Sequence, residues 1–216
     1  MKKTIIFILT VSILLIPGCS GNKKHNKSVY MLLDTSGTYA LELDKAHSVI
    51  KYLLGILQPT DTLAVARIDT GSFSEKDIIA KVKFDQRPSV ANDQKRAFVN
   101  RMDEFVKNVK SAQYTDIEGG LLQAIDYLNE TAAGEKYIII FSDLKQELAS
   151  GHIRGNEFDL TGFEVIALNV TKLNEDIREP DNYMSRVAEW KARIEKSGGV
   201  WKRINEMDHI DQIFKG

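Results

Sequence analysis

An α/β domain with a mostly parallel sheet, covered by helices on both faces, is the fold this sequence predicts. Short apolar runs of strand length alternate along the chain with longer amphipathic segments of helical period. The two longer irregular stretches, 144–162 and 171–182, each follow an inferred strand. That puts both at the C-terminal rim of a parallel sheet, where loops of such folds carry function. At 216 residues, with 43% hydrophobic and 27% charged, the chain suits one domain with a full core and is too apolar to be disordered.

Val29-Tyr30-Met31-Leu32-Leu33 is a continuous apolar run that ends in Asp34, and it reads as a buried strand. Across 40–57, Leu43, Ala46, Val49, Ile50, Leu53, Leu54 and Leu57 recur at helical spacing, and Gln58-Pro59-Thr60-Asp61 ends that helix. Residues 63–68 form a second strand. In 78–84, Ile79, Lys81 and Lys83 alternate with Ala80, Val82 and Phe84, the pattern of a half-exposed edge strand. A long helix over 89–110 carries Phe98, Met102, Phe105, Val106 and Val109 on its apolar side, and another helix covers 117–132. Tyr-Ile-Ile-Ile-Phe within 136–141 is the clearest central strand, and 163–170 is the next. A helix over 183–196 is stopped by Gly198-Gly199. A short strand at 200–204 and a helical turn at 209–214 complete the chain. There is no internal repeat, low-complexity tract or second domain.

The first eighteen residues stand outside this pattern. Met1-Lys2-Lys3 is a basic start, and 4–16 is almost continuously apolar and uncharged. These are the n- and h-regions of a secretory signal, and the apolar run is too short to span a bilayer comfortably. Ile16-Pro17-Gly18-Cys19 then resembles the bacterial lipobox, with Ile16 and Pro17 departing from its most familiar residues. The resemblance implies cleavage before Cys19 and lipid on its thiol and new amino terminus. Cys19 is the sole cysteine, which rules out an intrachain disulfide and any zinc site built on paired cysteines. The expected organisation is a signal peptide at 1–18, a lipidated Cys19 with a polar tether at 19–27, and a folded domain at 28–216. Such a chain is lipid-anchored in a bacterial cell envelope. Ser20 is not the Asp that often retains lipoproteins in the inner membrane, so the outer membrane is expected in a Gram-negative cell and the cell surface otherwise. Loss of 1–18 shifts the formal net charge from −1 to −3, because only Lys2 and Lys3 leave. A nucleic-acid partner held by bulk basicity is excluded.

Three small polar clusters lie at inferred strand ends. They are Asp34-Thr35-Ser36-Gly37-Thr38, then Thr115 before the helix at 117, then Asp143 two residues after Phe141. Asp34 and Asp143, with the hydroxyls of Ser36, Thr38 and Thr115, make a hard-oxygen set. It suits Mg²⁺ or Mn²⁺, with Ca²⁺ also possible, over a metal that prefers nitrogen or sulfur. Waters would complete the shell, and the residual positive charge would attract a carboxylate from a partner. Each residue also has a plainer role. Asp34, Ser36 or Thr38 could cap a helix, Thr115 and Glu118 have capping-box spacing, and Asp143 could be a loop acid facing water. His25, His47, His152 and His209 show no ligand spacing, and Trp190 and Trp201 read as core. Residues 67–72 form a turn or a rim loop. No Walker-type loop or Gly-x-Ser-x-Gly elbow is present.

The same residues resemble the von Willebrand factor type A domain: Asp-x-Ser-x-Thr after the first strand, Thr115 before Asp-Ile-Glu-Gly-Gly-Leu, and Ile-Ile-Ile-Phe-Ser-Asp. They match that family's metal-ion-dependent adhesion site, written Asp-x-Ser-x-Ser, then Thr, then Asp, with Thr38 in place of the final Ser. Pro59-Thr60-Asp61 and Gly198-Gly199 are further echoes, and the resemblance covers about residues 28–215. It implies a six-stranded sheet in the order 3-2-1-4-5-6 with one antiparallel edge strand. Asp34 and Asp143 then flank the switch point between strands one and four, where open α/β sheets bind ligands. The implied function is not enzymatic. It is a membrane-anchored protein-binding module whose Mg²⁺ coordinates an Asp or Glu of a partner protein. Two other functions stay open. Asp34-Thr35-Ser36-Gly37-Thr38 also resembles the Asp-x-x-Gly-Thr loop of haloacid-dehalogenase-like phosphotransferases, whose leading Asp is the nucleophile. That family's acidic pair after the fourth strand is missing at Asp143-Leu144-Lys145. The other is a structural envelope protein with a non-functional metal site.

Overall fold

The structure is a computed structural model that describes residues 26–37, 39–71, 73–152, 154–155 and 157–214. The expected signal, Cys19 and nearly all of the tether lie outside the described residues, as does Thr38.

β1 (Lys27–Asp34) is buried from Ser28 to its end, as a strand between two helical layers must be. A 3₁₀ turn (Tyr39–Glu42) leads into α1 (Leu43–Ile56) and β2 (Thr62–Ile68). Next come β3 (Ile78–Lys83), α2 (Pro88–Asn108), α3 (Ile117–Glu130), β4 (Glu135–Phe141) and β5 (Phe163–Leu168). A short α4 (Asn174–Arg178), α5 (Pro180–Lys196), β6 (Val200–Ile204) and a 3₁₀ segment (Met207–Phe214) complete the described chain. The sheet runs β3-β2-β1-β4-β5-β6, with β3 antiparallel to β2 and every other pair parallel. This is the expected order, with its one antiparallel edge strand.

Alternation along the strands builds a core on each face. Val29, Met31 and Leu33 of β1 share a cluster with Val49 and Leu53 of α1 and Phe98 and Met102 of α2. Tyr30 and Leu32 join the opposite cluster, with Leu121 and Leu128 of α3 and Val187 and Trp190 of α5.

The sequence expectation differs from the structure in a few places. The helix expected from residue 40 begins as a 3₁₀ turn, and the loop 171–182 contains α4. α5 starts at Pro180, where proline's missing N–H is harmless because first-turn N–H groups have no intrahelical acceptor. Trp190 is buried, but Trp201 lies on edge strand β6 and is only half-buried. The crossover from β4 to β5 forms no helix among its described residues. Leu144, Phe158 and Leu160 supply buried apolar volume there instead.

α3 lies close to β1 because Gly120 lacks a side chain. A Cβ there would fall 2.9 Å from Leu32 Cδ2 and 3.3 Å from its Cδ1. Leu32 is fully buried, so its side chain must shift within a packed core to admit the methyl. Gly120→Ala is therefore expected to cost about 1–3 kcal/mol through overpacking. Urea unfolding checks this as a lower midpoint at an unchanged slope.

Candidate functional site

β1 and β4 are neighbours, yet β1 leads on toward β2 while β4 leads toward β5 on the other side. Asp34 sits at this divergence, as the last residue of β1, and is fully buried. Its Oδ1 accepts the N–H of Ser36 at 2.9 Å, an Asx turn that bends the chain out of the strand. Its Oδ2 accepts the hydroxyl of Ser142 at 2.6 Å. Register explains that contact: Leu33 pairs with Phe141, so the next residues, Asp34 and Ser142, meet just beyond the ladder. Asp143 follows, 5% exposed, with Oδ1 accepting the N–H of Lys145 at 2.8 Å. Leu144 takes a φ of 67° to make the sharp turn, and its N–H donates to Ser142 Oγ at 3.0 Å.

Main-chain hydrogen bonds join the remaining loops to this point. The Ala112 N–H donates to the Thr35 carbonyl at 2.8 Å, within a bridge between Ser36 and Ala112. Thr115 is buried, and its N–H and carbonyl pair with those of Glu147 at 2.8 and 2.9 Å. The structure thus gathers Asp34, Ser36, Thr115 and Asp143 onto three mutually bonded loops of one rim, while Thr38 is outside the described residues.

The capping-box spacing of Thr115 and Glu118 is not used as such. Asp116 caps α3 instead, accepting the Gly119 N–H at 2.9 Å. Its second role is to hold Arg154, whose Nε lies 3.0 Å from Oδ1. Glu118 turns to Gln146, the Gly155 N–H and Arg193. The contacts from Gln146, Arg154 and the Gly155 N–H fasten the crossover onto α3.

Three supporting residues escaped the sequence reading. Ser142 had a signal, since it lies inside the Phe-Ser-Asp motif. Tyr39 donates its hydroxyl to the Asn169 carbonyl at 2.6 Å, which ties the first loop to the end of β5. Arg186 of α5 donates from Nε to the Asp143 carbonyl at 2.9 Å and pairs with Asp176. No local spacing announces these last two, because their partners lie far away in sequence.

Two carboxyls are buried close together at this point. Burial pushes the Asp34 carboxyl above its ordinary range, against hydrogen bonds from Ser142 and Ser36 that lower it. Burial, joined by the nearby Asp34 charge, pushes Asp143 up to about 6, against the Lys145 N–H and the Arg186 and Lys145 charges, which lower it. The basic groups close by are engaged elsewhere: Lys145 pairs with Glu147 at 2.9 Å and Glu175 at 3.2 Å, and Arg186 pairs with Asp176 at 2.7 Å. Among the described residues, neither Asp34 nor Asp143 has an ion-pair partner of its own. No three His, Cys, Asp or Glu side chains of the described chain converge as ligands. An ion here would depend on hydroxyls and water for the rest of its shell. That all-oxygen, water-rich set fits Mg²⁺ or Mn²⁺.

The raised pKa of Asp143 has a measurable consequence. The folded state holds this proton more tightly than the unfolded chain, so stability rises as pH falls through the folded value. Between pH 7 and pH 5 the metal-free wild type should gain on the order of 1 kcal/mol relative to Asp143→Asn. Urea midpoints of both proteins at the two pH values check this; the difference cancels groups that do not sense Asp143 and counts Asp34, whose charge acts on Asp143, together with it.

No protein-family model and no curated protein sequence matches this chain. Solved structures do resemble it. A von Willebrand factor type A structure from Catenulispora acidiphila aligns over 88% of this chain, with a TM-score of 0.50 and 12% identity. The pilus adhesin SpaC of Lactobacillus rhamnosus GG aligns over 87%, with a TM-score of 0.50 and 14% identity. The chain spans 41% and 29% of those two structures, less than half of either. The likeness is one of fold, the von Willebrand type A arrangement of strands and helices.

Proposed function

We propose that this protein is a metal-dependent protein-binding module. Asp34, Ser36, Thr38, Thr115 and Asp143 would hold a Mg²⁺ or Mn²⁺, directly or through water, and the bound ion would offer a coordination position to an Asp or Glu of a partner protein. The observation that carries this reading is the pair of buried carboxylates, Asp34 and Asp143, at the sheet's switch point with no ion-pair partner of their own among the described residues. Ser142 orients the Asp34 carboxylate, and the Lys145 N–H orients that of Asp143. The adhesin among the similar structures is consistent with a binding role.

The phosphotransferase alternative gains no support from the end of β4. A nucleophilic carboxylate must present an oxygen in line with phosphorus. That chemistry also needs an acidic pair after the fourth strand to hold its metal, and Asp143-Leu144-Lys145 supplies a single acid there.

The proposed anchor at Cys19 agrees with the position of the rim. The described chain enters β1 at Lys27, whose N–H donates to Asp61 Oδ1 at 2.8 Å. Asp34 ends the same eight-residue strand. At roughly 3.3 Å per residue the two points lie about 23 Å apart. A lipid on Cys19 would therefore be attached through the end of β1 opposite the rim. Cys19→Ser is expected to abolish labelling by radioactive palmitate and to move the protein from the membrane to the aqueous fraction.

The binding role is tested by capture from envelope extract. Proteins retained in Mg²⁺ should be released by chelator and should not be retained by Asp143→Ala. Retention indifferent to both would contradict the reading.

A further inference from the structure

The two faces of the sheet are covered unequally at the β3 edge. On one face α2 packs against β3. On the other, α3 packs against β1, β2 and β4, and β3 is the next strand out. The margin left there is a groove of about 210 Å³ between α3 and the segment that joins β2 to β3. Phe73, Ile78 and Tyr127 line it with apolar surface, and Glu75, Asp126 and Glu130 line it with carboxylates. It is distinct from the candidate metal site. Asp126 lies nine residues beyond Ile117 on α3, about 14 Å along the helix.

The groove is held in shape from both sides. Phe73 is 53% exposed, yet its N–H donates to the Gly71 carbonyl at 2.7 Å. The turn that follows is tied down by buried Asp77, which accepts Arg67 Nε at 3.2 Å. Tyr127 packs edge-on against buried Tyr30, with ring centroids 5.5 Å apart, and the Tyr30 hydroxyl donates to Gln123 Oε1 at 2.9 Å. Gln123 lines the groove while only 8% exposed. Its Nε2 has no acceptor among the described residues and is not sealed from solvent, so an oxygen of a ligand in the groove can take it. Lys81 shows what the acidic and aromatic groups attract. Its Nζ lies 3.4 Å from Glu75 Oε1 and 5.8 Å from the Tyr127 centroid. Asp126 and Glu130 are exposed and have no ion-pair partner among the described residues.

We propose that this groove is a docking site for a segment of another protein that carries Lys or Arg. The basic head sits between Asp126 and Glu130, which are neighbours one turn apart on α3. Its aliphatic stem covers Phe73 and Tyr127, and a main-chain carbonyl of the segment accepts Gln123 Nε2. That last demand separates a peptide from a free polyamine, which has no acceptor oxygen. The carboxylates do not converge as ligands, which argues against a bare metal ion. The site does not depend on the rim ion, and it takes a partner group of the opposite sign.

The test pans a displayed library of random dodecapeptides on the full-length protein in non-ionic detergent micelles, with chelator present throughout so that no rim ion contributes. Peptides that contain Lys or Arg should be enriched. A selected peptide, followed by fluorescence anisotropy, should bind the double variant Asp126→Asn, Glu130→Gln about tenfold more weakly, and Phe73→Ser several-fold more weakly. Asp34→Ala should bind it as wild type does. The three groove positions are exposed, so the urea midpoints of these variants should match that of wild type. Equal affinity for wild type and the groove variants would overturn the proposal. So would enriched peptides that lack a base, or no enrichment above a non-binding control protein. Spermidine bound as tightly as the peptide would assign the groove to free amines and overturn it. Peptide binding seen only in the variant Lys23→Ser, Lys24→Ser would assign the groove to the chain's own tether. Dimerisation in sedimentation velocity, lost in the groove variants and their sole defect, would assign it to a second copy. Either result overturns the proposal, and the metal-dependent reading stands or falls separately on its own titration.

Discussion

Asp176→Ala is expected to lower the stability of the domain by about 3 kcal/mol, because removing one member of a buried ion pair leaves the other charge uncompensated. The Asp176 side chain is 0% exposed and that of Arg186 is 12% exposed. The Arg186 guanidinium holds the Asp176 carboxyl below the usual carboxylate range, as an ionised partner should. Asp176 also accepts the Leu173 N–H, so its loss frees the start of α4 as well as the charge on α5. The damage should reach the rim, since Arg186 secures the carbonyl of Asp143. Urea unfolding gives the magnitude. Asp176→Asn, which preserves shape and some hydrogen bonding, should lose less than the alanine variant. Because the pKa of Asp176 is depressed, its contribution disappears only as pH falls through that low value. It therefore does not obscure the Asp143 effect between pH 7 and 5.

Saturating Mg²⁺ is expected to stabilise the wild type by about 2–3 kcal/mol, the gain from a ligand present at a hundredfold its dissociation constant. Asp34→Ala should abolish that gain. Without metal the same substitution has two opposed effects: it removes a carboxylate that burial disfavours in its charged form, and it strips the acceptor from the Ser36 N–H and the Ser142 hydroxyl, a penalty of about 1–3 kcal/mol for a buried donor. Thermal melts with Mg²⁺ and with chelator separate these effects. Wild-type melts that ignore both would favour a structural envelope protein with a non-functional metal site.

Much of the fold is legible in the sequence because it depends on local periodicity. The unbroken apolar runs of β1 and β4 identify strands buried on both faces, and the alternation of β3 identifies an edge. The candidate site is legible where its residues directly follow strands. Asp34 and Ser142-Asp143 terminate neighbouring strands, and topology brings them together. What escapes the sequence depends on distant partners. Arg186 lies 43 positions from the carbonyl it secures, and Tyr39 lies 130 from its acceptor. The assignment of Thr115 shows a different limit. Its capping-box spacing is satisfied on paper, yet the adjacent Asp116 takes the cap while also binding Arg154. Local pattern cannot rank two adjacent candidates when a contact from a remote loop decides between them.

The proposed function requires Asp34 and Asp143 to hold a divalent cation. Isothermal titration of the metal-free protein with Mg²⁺ and with Mn²⁺, alongside Asp34→Ala, tests it most directly. Saturable binding near one ion per wild-type chain, reduced at least a hundredfold by the substitution, is the predicted result. Identical titrations for the two proteins, whether both bind or neither does, would contradict it.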